Sequence, residues 1–330
     1  MKENRKIGMV QLAKNPKSII GVFISITGIY WAFIDFNVSD FILSIHQIDY
    51  IYLIFATIFL WSSVWLRAVR WKLLFHKKDS PSIASLYEAE MIGYFGNNVL
   101  PLRLGELLRS YIVGKENSLS KSFVFGTVIL ERLMDTLTLA LFGLLLLLIY
   151  PLESDFKENI LLIVIIAFSV IVIMFFVLQN INLNKTENRL LIIIRRILDG
   201  LLSIRKDRLL PIIMTSLFIW CIYLLDVYLV QKAFQFDLSM SQILTVLVVS
   251  SMALSIPSAP GMFGTFHAAV KYTMVDLFTY SASDGNSFAI LLHAYGFILF
   301  TIFGAYYFMK SQFHEHAISI VLQEDIKNHR

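Results

Sequence analysis

The stretch Gly93-Tyr-Phe-Gly96-Asn97-Asn98-Val-Leu-Pro101-Leu-Arg103-Leu-Gly105-Glu106-Leu-Leu-Arg109 starts as an apolar helix and cannot continue as one. Pro101 has no amide hydrogen to give a helix above it, and it pushes Leu100 out of the α region. Proline is well suited to begin a helix, so the segment 82–113 reads as two half-helices meeting near Asn97–Pro101. A second break lies in the segment 240–280, at Ser255-Ile-Pro257-Ser-Ala-Pro260-Gly261-Met-Phe-Gly264-Thr-Phe-His267. Broken backbone at membrane depth is tolerated only where protein buries it or a wet cavity meets it.

Composition places both breaks in a membrane protein. Charged residues are 16% of the 330, the hydrophobic set is 57%, and there are 27 Phe. A soluble domain carries about a quarter charged residues and just under half apolar ones. Runs at 18–36, 124–150, 160–178 and 212–230 reach the roughly 20 residues that a helix needs to cross a bilayer. The first is too long for a signal-peptide core and lacks a small-residue cleavage site, so it reads as a retained span. The lone Cys221 gives no disulfide and no cysteine-based metal site, and reads as a small packing residue.

Short loops rich in Lys and Arg stay on the cytoplasmic side. Lys2, Arg5, Lys6, Lys14 and Lys17 precede the first run, and the loop 35–50 has no Lys or Arg. Arg67, Arg70, Lys72, Lys77 and Lys78 lie at the end of the span 51–74 and just after it, and the loop 180–209 is the most basic of all. The stretch 276–286 has none, and the tail 310–330 begins at Lys310. The alternation predicts both termini inside and six spans, at 18–36, 51–74, 122–150, 160–179, 210–231 and 286–309. Within the basic loop, 190–202 reads as a weakly amphipathic helix on the membrane surface or as a plain linker helix. The net charge of +4 follows from this inside bias and calls for no nucleic-acid partner.

By the same count, 82–113 enters from the inside and 240–280 from the outside. The expected fold is an all-α membrane domain, about six spans plus two oppositely oriented broken hairpins, related as an inverted repeat. Ordinary spans, or interfacial helix pairs that contain Pro, are the alternative.

Ionisable residues in apolar segments cost about 2.5–3.5 kcal/mol each on insertion scales, so each needs a reason. Arg103, Glu106 and Arg109 are spaced by three, on one helix face. Glu131, Arg132 and Asp135 form a second cluster, and Arg67 and Arg70 a third. One reading is mutual ion pairing. The other is a cavity whose surplus arginines hold an anionic headgroup, since these five arginines face Glu106, Glu131 and Asp135 with two positive charges left over. Guanidinium forks suit phosphate, and half-helix N-termini after Pro101 and Pro260 add amide donors. Asn97, Asn98, Gly261, Gly264 and His267 complete the candidate set; His267 is a structural histidine or a proton-sensitive group. Pro101, Pro257 and Pro260 are the structural breaks. Asp226 and His293 read as facing the headgroup layer. P-loop, His-Glu-x-x-His and Gly-x-Ser-x-Gly motifs are absent, and no metal or cofactor is expected.

The Asn-x-x-Pro-x-Arg-x-Gly-Glu core of 98–106, with Arg67-x-x-Arg70-Trp71, Glu131-Arg132-x-x-Asp135 and Pro260-Gly261-x-x-Gly264, resembles the transmembrane region of lysylphosphatidylglycerol synthases and their stand-alone relatives. The resemblance covers nearly the whole chain. It implies a prokaryotic cytoplasmic-membrane protein, and in the two-domain synthases this region moves aminoacylated phospholipid to the outer leaflet. The chain ends soon after the sixth expected span, so it is similar to a member without the soluble aminoacyltransferase domain. The family carries a Glu shortly after the Pro-Gly turn, where this chain has His267.

The expected function is a flippase-like transporter of an anionic phospholipid or a lipid-linked intermediate, with homo-oligomer formation open and no aminoacyltransferase domain or catalytic motif seen. The alternatives are an integral-membrane transferase acting on a lipid-linked substrate, or a non-transporting subunit of a cell-envelope complex.

Overall fold

The computed structural model describes residues 38–76, 80–149, 188–255 and 260–328, with 158, 161, 162, 165 and 169 between them. The expected span 18–36, nearly all of 160–179, loop residues 180–187 and Pro257 lie outside the described residues.

Among the described residues every regular element is helical. A short α1 (Val38–His46) occupies the loop expected at 35–50. α2 (Tyr50–Lys72) starts where the Asp49 carboxylate accepts the amide of Ile51, satisfying a donor that the helix itself leaves open. α3 (Ile83–Val99) is capped in the same way by Ser82, which accepts from Ser85. It ends at Leu100, which is extended as the following proline demands. A 3₁₀ turn, Pro101–Arg103, leads into α4 (Leu104–Glu116). α5 (Lys121–Ile149), α6 (Arg189–Leu201) and α7 (Leu209–Ala233) follow. The second break separates α8 (Met240–Ser255) from a 3₁₀ turn, Pro260–Met262, and α9 (Thr265–Lys271). A π-helical turn, Tyr272–Leu277, then leads to α10 (Ala282–Asn328).

Three helical stretches are long and apolar enough to cross a bilayer: Tyr50–Lys72, Lys206–Ala233 and Ala282–Ser311. They coincide with the expected spans at 51–74, 210–231 and 286–309, and α5 is helical over 121–149, along the segment expected at 122–150. Large apolar side chains such as Leu148, Phe218 and Ile298 stand exposed on α5, α7 and α10. Water is the wrong solvent for such surfaces, and hydrocarbon is the right one. Cys221 is also exposed, on α7, rather than packed. The segment 310–330, expected as a tail, continues the last helix as far as Asn328.

α2 and α7 lie antiparallel and are tied at both ends. At one end the Asp49 amide donates to the carbonyl of Ala233. At the other, Arg208 donates to the carbonyls of Leu73 and Phe75, at 2.9 and 2.6 Å. Around this pair the helix contacts of the first half recur in the second. α3 packs on α4 as α8 packs on α9, and α4 on α5 as α9 on α10. The cross-contact of α3 with α10 is matched by that of α8 with α5. The buried apolar residues fall into two clusters accordingly, one centred on α2–α5 and one on α7–α10.

α3 and α4 meet at glycine. A Cβ on Gly96 would sit 2.6 Å from the Cα of Gly105, and one on Gly105 would overlap the Gly93 carbonyl. In lipid, where the surrounding tails are as apolar as leucine, such close backbone approach is a main source of helix–helix attraction. α6 docks on α5 likewise, Gly200 against Gly126. Its charges, Arg189, Arg195, Arg196 and Asp199, fall on one arc, so the helix is strongly rather than weakly amphipathic. Gly105→Ala should lower stability by about 1–3 kcal/mol through overpacking. Thermal unfolding in detergent would measure this, and an unchanged midpoint would contradict the contact.

Candidate functional site

Six charged side chains from four helices close a ring of alternating sign. Arg67 and Arg70 come from α2, Glu90 from α3, Arg109 from α4, and Glu131 and Asp135 from α5. Arg67 reaches Asp135 at 3.2 Å and Glu90 at 3.8 Å. Arg70 reaches Asp135 at 2.7 Å and Glu131 at 3.6 Å. Arg109 reaches Glu131 at 3.0 Å and pairs closely with Glu90. All six are buried. The Arg109 guanidinium lies 4.5 Å from the ring centre of Trp71, whose Nε1 donates to Thr127 Oγ1 at 2.8 Å. Arg70 also donates to Ser216 on α7 at 3.1 Å, which brings a fifth helix to the ring.

With three arginines and three carboxylates the ring is neutral, so its chemistry is internal. Each ion has two opposite partners, which offsets the several kcal/mol needed to desolvate it. Arg67, Arg70 and Arg109, expected either as headgroup ligands or as ion-pair partners, each face two carboxylates here.

A second, accessible edge adjoins the ring. Glu106 lies 3.5 Å from Arg132 and 3.9 Å from Arg103, and Arg132 is 3.5 Å from Asp135. About a third of the Arg132 side chain and a quarter of the Arg103 side chain are exposed. Arg103 Nη2 donates to the carbonyl of Leu254, the penultimate residue of α8. The turn Pro260–Met262 packs on α3 and on the turn Pro101–Arg103. The two breaks therefore meet, and Arg103 joins them.

Arg103 and Leu102 take left-handed backbone angles, φ 56° and φ 57°. Such angles cost a non-glycine residue roughly 1–2 kcal/mol and persist only where surroundings hold them. They also move the start of the second half-helix from Pro101 to Leu104. Of the three residues expected on one face, Arg103 and Glu106 reach the edge, whereas Arg109, one turn further along α4, reaches the ring.

The remaining candidates lie away from the ring and the edge just described or pack between helices. Asn98 Nδ2 donates to Thr301 Oγ1 at 2.9 Å and to the Phe297 carbonyl at 3.3 Å, tying α3 to α10. Asn97 lies against Gly105. Gly261 and Gly264 have φ 68° and 93°, which glycine adopts freely. His267 stacks on Phe263, with ring centres 5.8 Å apart, and lies 5.0 Å from His293. It is packed among aromatic rings, apart from the arginines. Asp226, expected to face headgroups, is buried and accepts a hydrogen bond from Tyr295 on α10.

Glu90 was absent from the sequence tally of charges. Its signal was the same as that of the others, an acid beside an apolar run, Met91-Ile-Gly93. Counting it leaves one surplus positive charge among the five arginines instead of two, and that charge belongs to the edge. An apolar cleft of about 390 Å³, lined by Leu137, Ala140, Leu141, Leu144, Leu161 and Ile165, lies further along α5. Among the described residues no cluster of His, Cys, Asp and Glu suits a metal ion.

The two groups should respond differently to mutation. Glu131→Ala strands Arg70 and Arg109 and should cost about 3–5 kcal/mol. Arg132→Ala, at the exposed edge, should cost under about 1 kcal/mol. Equal losses of thermal stability for the two variants would refute the division into ring and edge.

The profile of the family described as the lysylphosphatidylglycerol synthase TM region matches residues 18–304. A UPF0104 membrane protein of Methanocaldococcus jannaschii is 28% identical over 221 residues, covering 65% of this chain and 93% of the relative. Another, from Methanothermobacter thermautotrophicus, is 25% identical over 268 residues, covering 72% of this chain and 78% of the relative. No solved structure matches.

Proposed function

Because this chain belongs to the family of lysylphosphatidylglycerol synthase transmembrane regions, we propose that it is a flippase-like transporter moving an anionic lipid headgroup across the membrane. The observation that carries this reading is the position of the one surplus positive charge. It sits on the accessible edge of Arg103, Glu106 and Arg132, where the two broken segments meet. A neutral ring behind it holds the edge in place without competing for the ligand.

Arg132 and Arg103 then bind phosphate oxygens through charge-assisted hydrogen bonds, displacing part of their pairing with Glu106. The α4 amides add donors, since Arg103 at the helix start offers no side-chain cap to them. Acyl chains stay in lipid, against apolar surfaces such as the cleft on α5.

The two breaks act as re-entrant hairpins entering from opposite faces, and the halves as an inverted repeat. The recurring helix contacts and the antiparallel α2–α7 pair support this, because an inverted repeat would relate the halves by a two-fold axis through that pair. Rocking of one half against the other would expose the edge to each side in turn. The loop charges favour a cytoplasmic membrane with both termini inside.

Reconstitution with fluorescently labelled phosphatidylglycerol tests the reading, using a membrane-impermeant quencher to follow the headgroup. Arg103→Gln combined with Arg132→Gln should slow translocation at least about tenfold, the equivalent of losing roughly 1.4 kcal/mol of headgroup binding. The thermal midpoint should fall less than that of Glu131→Ala, because both arginine side chains are partly exposed. Equal rates for wild type and the double variant would exclude the edge as the headgroup site.

A further inference from the structure

The second half contains a buried acid that the headgroup reading does not use. Asp226 on α7 is only 7% exposed. Its Oδ2 accepts from the Tyr295 hydroxyl, and its Oδ1 has no hydrogen-bond partner. Among the described residues no cation pairs with it.

Its place in the fold is informative. Asp226 is the eighteenth residue of its helix, counting Leu209 to Asp226, and so is Arg67, counting Tyr50 to Arg67. Their partners also correspond to within one position. Asp135 is the fifteenth residue of α5, counted from Lys121, and Tyr295 the fourteenth of α10, counted from Ala282. Thus the joint that a permanent arginine closes in the first half is closed in the second by a lone carboxyl and a phenol.

The neighbours leave the acid without a counter-charge. α8 has no ionisable side chain between Met240 and Ser255. On α2, Arg67 and Arg70 are engaged by Glu90, Glu131 and Asp135, and Arg70 meets α7 at Ser216, nearly three turns from Asp226. On α5, Glu131 and Asp135 face those arginines, and Arg132 faces Glu106. On α10, Tyr295 makes the contact, while His293 packs with Phe266 and His267. Val227 and Val230 of the same helix belong to the apolar core.

We propose that Asp226, held by Tyr295, is a proton-binding site that couples movement of the α7–α10 half to a proton. The coupling rests on the transport reading above; the proton site does not. The proton adds to Oδ1, the free oxygen, while Oδ2 keeps its bond from Tyr295. Releasing it would leave a carboxylate with a single neutral donor in an apolar core, a state that this packing does not support. Release therefore requires water to reach Oδ1, which means parting α7 from α10. A hard metal cation is a poorer fit, because it would want six or more oxygens where one carboxylate and one phenol are offered.

Infrared difference spectroscopy of the protein in lipid nanodiscs tests the site without any transport. Wild type should show the carbonyl stretch of a protonated carboxyl, absent from Asp226→Asn and displaced in Tyr295→Phe. If both variants keep every such band unchanged across the pH range where the protein stays folded, the proposal falls. Should Asp226→Asn not fold, the Tyr295→Phe displacement decides alone. In proteoliposomes, a gradient of one pH unit should shift the steady-state lipid distribution up to about tenfold for one proton per lipid. Asp226→Asn should abolish the shift and retain headgroup binding. A band with no lipid movement by wild type supports the site and removes the transport reading. Lipid movement indifferent to the gradient, with no band, overturns the site and leaves transport standing.

Discussion

The fold depends on a closed ring of six buried charges. Arg67, Arg70, Glu90, Arg109, Glu131 and Asp135 are each affordable in an apolar interior only because two opposite charges face them. Four helices contribute, and Ser216 adds a fifth, so none can tilt without stranding an ion. Such a ring sets register more surely than apolar packing, which tolerates sliding. Its neutrality has a second consequence. The one uncancelled charge falls to Arg103 and Arg132 at the edge, beside the meeting point of the two breaks.

The two halves share a scaffold and differ in chemistry. Their helices pair alike, but the first half is fastened by guanidinium groups, which do not release protons at physiological pH. The second is fastened by Asp226 with Tyr295 and by the aromatic packing of His267 and His293. The proposed transport would use this asymmetry, with one joint closed by permanent charge and the other by a titratable carboxyl.

Glycine and backbone strain shape the region between them. Gly93, Gly96 and Gly105 let α3 and α4 approach until no Cβ fits, which brings Arg109 within reach of Glu90. The left-handed angles of Leu102 and Arg103 then turn Arg103 away from the α4 face and toward Leu254. Strain in the first turn is thus held by a hydrogen bond to the second segment.

Much of this was legible in the residues alone. The apolar runs, Pro101 and the Pro260–Gly261 turn determined a helical membrane protein with two broken segments, because helix length and proline chemistry act locally. That Arg67, Arg70, Arg109, Glu131 and Asp135 each need a partner or a ligand was also readable, since charges in apolar helices are costly. Which partners they find was not. Glu90 closes the ring only because the glycine contact folds α3 onto α4, and Arg103 leaves its helical face only because its backbone turns left-handed. Asp226 looked like a headgroup-facing residue because sequence position gives depth but not direction. Only the tertiary structure decided which charges neutralise one another and which remain free to act, because pairing depends on helix approach and rotation, and neither is written in spacing.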